Sequence, residues 1–275
     1  MEADAKAVKR AKPKKLKKSR KAAEYHGLSG TGTDYTVYNL SSGETMLAVA
    51  VGFAVGFAAG YCYFNSVAIG VIVGLIAGWK AISIYRNKKF VKRQRELRLQ
   101  FRDLLESLSN SYTVGATSSR AFHSAYDDMV TEHGKKSYIA KEVKLINDMH
   151  DNQGYEINEL IADFAKRSGL DDIQSFSGVF FVAERGGNVA KVVRETRDMI
   201  GDKIEIELEI QTMITGQRNQ LNVLAVMPVV MSLLTRSFGD SSTSQSSLTL
   251  IVKLIALALF IIAYWLGTKI VDIKV

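Results

Sequence analysis

Cysteine is almost missing from this chain: Cys62 stands alone, inside an apolar run. No intrachain disulfide can form, so nothing marks an oxidised, secreted domain. Cys62 is a poor lipoprotein cleavage site, because bulky Tyr61 sits where a small residue is needed. A cleaved leader is not expected either, since the basic stretch before the first apolar run is too long and no small-x-small site follows it. Histidine is scarce as well. His26, His123, His133 and His150 show neither i, i+4 pairing nor a His-Glu-x-x-His frame, which excludes the usual metal spacings. The fragment Gly134-Lys135-Lys136-Ser137 lacks the upstream glycine and strand of a phosphate-binding loop. No Gly-x-Ser-x-Gly elbow occurs. Cys62 has no histidine beside it to act as a nucleophile's base. The many carboxylates of the middle segment face Lys or Arg at helical spacings, as on a solvated face. The expectation is a protein that is not an enzyme, with no catalytic residue, metal or cofactor.

Charge, by contrast, is present but sharply segregated. Residues 46–85 carry only Lys80, and residues 221–270 only Arg236, Asp240, Lys253 and Lys269. Residues 86–218 are rich in both signs and neutral overall, while the net +8 of the chain comes largely from the first 45 residues. Four apolar runs result: Met46–Tyr63, Val67–Tyr85, Leu221–Phe238 and Leu248–Gly267. Each approaches the length a helix needs to cross about 30 Å of hydrocarbon at about 1.5 Å per residue. They lack the polar stripe of a buried soluble helix. The expected architecture is all-α: an integral membrane protein with four transmembrane helices and a helical cytoplasmic domain. Its parts are a basic, partly disordered tail (1–45), a transmembrane hairpin (46–85), a cytoplasmic helical domain (86–218) and two further spans with a short C-terminus (219–275).

Lys and Arg counts orient these spans. The tail carries a basic cluster from Lys6 to Lys21, and Arg86 to Arg98 form a second one after the second run. The short loops Phe64–Ser66 and Gly239–Ser247 have no basic residue. Both termini and the middle segment are therefore expected in the cytoplasm of a multi-pass protein. Lys80, Arg236 and Lys253 lie near helix ends, where they can snorkel to water. Asn222 is compatible with a channel or with a helix–helix hydrogen bond, but transport needs more intramembrane polar groups than these. The tail is expected to attract anionic lipid of the adjacent bilayer rather than nucleic acid.

Gly52, Gly56 and Gly60 are four apart, as are Gly70, Gly74 and Gly78, so each set lines one helix face. Two readings stand: a tight hairpin, or a face for a partner's transmembrane helix. The middle segment reads as amphipathic helices. Leu97, Phe101, Leu104, Leu105 and Leu108 form the first stripe, ended by Gly115. Thr117 or Ser118 opens the next, with Ala121, Phe122, Ala125 and Met129. A third carries Ile139, Val143, Ile146 and Met149, and a fourth Leu160, Ile161 and Phe164 before Gly169. Asp171 with Gln174 resembles a capping box opening a fifth, with Ile173, Phe176, Phe180 and Ala183. After Gly186-Gly187, Asn188 caps a long helix that no proline interrupts before Pro228, a hinge residue whose ring is expected to kink the helix near Leu224. The alternation Ile204–Ile210 has strand character, but it lies in an unbroken helical run and is read as helix. The turn Glu184-Arg185-Gly186-Gly187-Asn188 is either a simple C-cap or a hinge and contact loop.

A glycine turn between two amphipathic helices, Phe164-Ala165-Lys166-Arg167-Ser168-Gly169, Gly186-Gly187 opening a long helix, a proline in the following span and the ending Ala263–Ile273 occur here in that order. This layout resembles the type II secretion system F domain family, and its two spans, one F domain and two spans look like the TadB-type inner-membrane platform proteins of Tad (Flp) pili. The resemblance covers the chain from about residue 36, although the basic start is not a family feature. It implies a scaffold in the bacterial inner membrane that couples a cytoplasmic secretion ATPase to pilin extraction. It also implies pairing with a TadC-like platform protein or with itself. A membrane-anchored signalling adaptor and a small transporter are the other function classes.

Overall fold

The computed structural model describes residues 25–238 and 247–271, and no strand occurs among them. The elements in chain order are α1 (Ser42–Phe64), α2 (Val67–Thr113), α3 (Ser118–His133), α4 (Tyr138–Gln153), α5 (Ile157–Ser168), α6 (Asp171–Glu184), α7 (Val189–Phe238) and α8 (Ser247–Val271). The basic cluster Lys6–Lys21, the loop at 239–246 and the last four residues lie outside the described residues.

Local chemistry sets the breaks. Asn65 takes a left-handed conformation (φ 53°) and turns α1 into α2. The Thr117 and Ser137 hydroxyls accept the N–H groups of Arg120 and Ala140 and open α3 and α4. The Asn188 side chain accepts the Lys191 N–H and opens α7. One cap differs from expectation. Leu170, not Asp171, is the N-cap of α6, and no side chain caps it. Leu170 is buried in the core, so Asp171 and Asp172 fall in the first turn, where their charge meets the positive end of the helix dipole.

Two elements are far longer than an ordinary globular helix. α2 has 47 residues and α7 has 50, or roughly 70 and 75 Å along the helix path, the second with Pro228 inside it. In α2 the apolar start passes directly into the stripe Leu97–Leu108 without a glycine or proline between Gly78 and Thr113. In α7 the alternating run Ile204–Ile210 is helical, with Ile204 buried and Ile206 and Leu208 exposed. Both α1 and α2 contain segments long and apolar enough to cross a membrane. The apolar half of α7 lies beside α1, where the Ser232 hydroxyl donates to the carbonyls of Cys62 and Tyr63 at 3.2 and 3.3 Å. α8 returns along α7, with Gly267 against Leu221.

The lower part of α2, α3 to α6 and the first half of α7 form a helical bundle. Its core is the set of stripes named above, joined by Val193 and Ile200 of α7. Phe101 bridges Phe164 and Phe176, and Phe176 continues to Phe180, with ring centroids 5.3 to 6.3 Å apart. Each such buried ring contributes roughly 1.5–3 kcal/mol. Direction alternates, so the turns at Gly115, Gly154 and Gly186 lie at the end away from the apolar segments, and those at Gly134 and Gly169 lie near them.

A further segment joins this bundle. Residues 25–38 lie upon it as a strap with a turn at Gly27–Gly30, and Tyr35 is 1% exposed inside the core. The boundary placed at residue 45 by composition therefore divides a segment that packs with the bundle from about Tyr25 onward.

Candidate functional site

Five of the residues singled out in the sequence meet at the far end of the bundle. The Ser118 hydroxyl, just after the Gly115 turn, donates to the Glu184 carboxylate at 2.6 Å. The Arg194 guanidinium donates to the Thr113 hydroxyl at 3.3 Å. These bonds hold the Gly115 turn against the segment Glu184-Arg185-Gly186-Gly187. The two glycines of that segment differ in purpose. Gly186 has φ 145°, which other residues rarely adopt. Gly187 is needed for space, because a Cβ there would stand 2.9 Å from the Ala183 Cα. Its N–H donates to the Ala183 carbonyl at 2.7 Å, closing the end of α6. The Arg185 guanidinium lies 4.0 Å from the Phe181 ring centroid.

This end is also apolar where it faces solvent. Val114 is 85% exposed and Val182 68%, with Val179 and Phe181 beside them on α6. Beneath, the Tyr112 ring packs on Phe180. Burial pushes the Tyr112 phenol up to about 12, and the Glu184 charge adds to this. Pro228 is not part of this cluster. It lies within α7, forty residues beyond Asn188, and the helix continues through it.

A second centre shows in the sequence only as the i,i+4 pair Asp163 and Arg167, which there reads as part of a solvated face. Arg167, with 2% of its side chain exposed, donates from Nη1 and Nη2 to both oxygens of Glu142 at 2.9 and 2.7 Å, and from Nε to Asp163 at 2.8 Å. Burial opposes the guanidinium charge, but the two carboxylates outweigh it and hold its pKa above the ordinary value. The strap closes this site. Arg167 also donates to the Thr33 carbonyl, the Tyr35 hydroxyl donates to Glu142 at 2.9 Å, and the Leu28 N–H donates to Asp163 at 3.1 Å. Gly27 and Gly32 admit the backbone here, since a Cβ at either would fall within 2.8 Å of Arg167 or Asp163. Arg93 of α2 lies over Tyr35 and Tyr38 and donates to the Asp34 and Val37 carbonyls. Gln94 joins the Tyr35 and Ser168 carbonyls. Its arrangement is that of a clamp: one guanidinium holds two carboxylates, and α2, α4, α5 and the strap are tied at one point.

Other ionic groups are structural in geometry. Arg98 of α2 pairs with Asp172 of α6 and Glu207 of α7, and Lys203 reaches the same Asp172 at 2.8 Å. This knot fastens both long helices to the bundle. Asp103, Glu132 and His133 stand close enough to share a cation, but Arg102 already places two N–H groups on Asp103.

In the hairpin, the two glycine rows face each other. A Cβ on Gly56 would lie 3.0 Å from the Gly74 Cα, on Gly60 3.1 Å from the Gly70 Cα, and on Gly52 3.1 Å from the Gly78 Cα. The packing of α1 on α2 thus occupies these faces within one chain. Comparison with known protein families, with characterised proteins and with solved structures found no match to this chain.

Proposed function

We propose that the chain is a four-span platform protein of the bacterial inner membrane, serving a Tad or type IV-like pilus or a type II secretion machine. In this reading α7 and α8 supply the third and fourth spans, both termini face the cytoplasm, and the bundle is the F domain. The protein catalyses no reaction and needs no cofactor. It couples a cytoplasmic secretion ATPase to the extraction and assembly of pilin, together with a TadC-like partner or a second copy of itself.

The observation that supports this reading best is the continuity of α2 and α7. Two uninterrupted helices leave the apolar segments and become the walls of the bundle. The Arg98–Asp172–Lys203–Glu207 knot locks them together. A push on the far end then moves the apolar helices as one body, whereas a flexible linker would absorb it. About 28 residues of α2 separate Arg86 from Thr113, so that end stands roughly 40 Å from the apolar segments. The glycine turns, Arg185 and the exposed Val182 offer a contact surface there.

The test is co-purification of the detergent-extracted chain with the secretion ATPase encoded beside it. Gly187→Ala, which crowds the Ala183 backbone, should reduce ATPase recovery and pilus number at least fivefold while the chain still accumulates in the membrane. Unchanged recovery and piliation would remove the turn from the ATPase contact. Absence of any secretion ATPase or pilin gene nearby would favour the adaptor class instead.

A further inference from the structure

On the bundle half of α7 an open groove of about 540 Å³ is lined by Glu195, Asp198, Met199, Asp202, Lys203 and Ile206, all on one helix face. Met199 and Ile206, one heptad apart, are each 52% exposed. Beside them Asp198, Asp202, Glu205 and Glu209 follow at i, i+4, i+7 and i+11, a single acidic stripe. From Glu195 to Glu209 the helix holds six carboxylates and two cations. Both cations are engaged, Arg197 with one oxygen of Asp198 and Lys203 with Asp172 of α6. Asp202, Glu205 and Glu209 have no side-chain partner among the described residues. A face that is apolar along its middle and anionic along its edge fits a cationic segment with interspersed apolar residues.

We propose that the occupant of this face is the chain's own segment Lys6–Lys21. It holds ten lysines and arginines and no carboxylate, with Val8, Ala11 and Leu16 among them. Its point of attachment is close. The Tyr25 N–H donates to Asp34 at 3.1 Å and the Tyr25 hydroxyl to Asp163 at 3.2 Å, which fixes the start of the strap. Thr36 of the strap lies against Gly169, just before α6, and Asp172 in the first turn of α6 binds Lys203 at the edge of the groove. One helix, about 10–12 Å across, therefore stands between strap and groove, while residues 6–24 reach up to roughly 60 Å when extended. Single exposed ion pairs contribute little. The tether makes the encounter intramolecular, at an effective concentration in the millimolar range, and several pairs form together. The inference does not depend on the pilus reading. Anionic lipid is the competing occupant for the same cations.

The test is cross-linking in the full chain. Ser19→Cys and Met199→Cys, in a Cys62→Ser background, keep every charge. The purified chain is placed in nanodiscs of phosphatidylcholine alone or with phosphatidylglycerol and treated with a short bis-maleimide, and joined peptides are read by mass spectrometry. The two cysteines should join within one chain in both lipids. Asp198→Asn, Asp202→Asn and Glu205→Gln together should lower the yield roughly fivefold, as should molar salt. Glu106→Gln, Asp127→Asn and Asp148→Asn, on exposed positions elsewhere in the bundle, should leave it unchanged. Equal yield from the neutralised and unaltered groove overturns the site. A product with the mass of two chains overturns the intramolecular occupant in favour of a second copy. Cross-linking that vanishes when phosphatidylglycerol is present assigns the segment to lipid and overturns the proposal.

Discussion

Arg167 shows how one side chain can hold distant parts of a chain. It satisfies two buried carboxylates and a strap carbonyl at once, so its loss strands two charges away from water. Breaking a buried pair in this way costs about 3–5 kcal/mol. Arg167→Met should therefore lower unfolding stability in detergent by about that amount. It should also expose the segment Tyr25–Gly30 to limited proteolysis. Adding Glu142→Gln to that variant should recover part of the loss, because one stranded charge is removed. Equal stability of wild type and Arg167→Met would show that the clamp contributes nothing net. Tyr112 makes a second prediction, on pH. Burial raises its folded pKa to about 12, whereas an unfolded tyrosine ionises near 10. Between these values the folded state binds more protons than the unfolded one, so stability is fully present below about pH 10 and falls as pH rises towards 12. Denaturant midpoints measured from about pH 8 to about pH 11 should decline, and Tyr112→Phe should flatten part of that decline. A variant with an unaltered slope would place the alkaline loss elsewhere.

Among the elements, α2 and α7 differ from all others in running from the bundle into a long apolar segment. No glycine or proline separates the apolar start of α2 from its bundle half, and α7 meets Pro228 only after it has left the bundle. In the proposed reading, helical stiffness carries tilt and rotation along both. A short Gly-Ser insertion after Thr215 should leave the bundle folded and the chain in the membrane fraction, yet abolish pilus assembly. Assembly that persists with the insert would reduce the protein to a passive docking site. The hairpin α1–α2 is fixed differently, by glycines whose missing side chains allow backbone contact near 3 Å. Those same contacts leave little of the glycine faces for a partner's helix.

At the scale of the molecule, the proposed topology has a direct measurement. In a Cys62→Ser background, single cysteines at Ser66 and Ser244 should react with an impermeant maleimide added to intact cells, and one at Ser137 should react only after lysis. Labelling of Ser137 from outside would invert the orientation and detach the bundle from any cytoplasmic motor. The bundle itself has two distinct ends. The turns at Gly134 and Gly169 and the strap crowd the end next to the apolar helices, while Gly115 and Gly186–Gly187 mark the other.

The sequence by itself determined the helices and most of their ends, because those signals are local. A hydroxyl at Thr117, an amide at Asn188 and glycines at 115, 154 and 169 act within one turn of their own position. Apolar stripes of period 3.6 likewise named the bundle core in advance. The all-helical class and at least two membrane-length apolar helices follow from the same local information. Tertiary structure decided what no period can encode. Tyr35 meets Glu142 across 107 positions, from a segment whose composition resembles a tail. Leu170 displaces Asp171 as a cap because burial outweighed the local preference for an acidic one. The abrupt rise in charge at Arg86 looks like a boundary, yet the backbone of α2 continues through it, since a helix stops for glycine, proline or a lost hydrogen bond and not for a change of solvent.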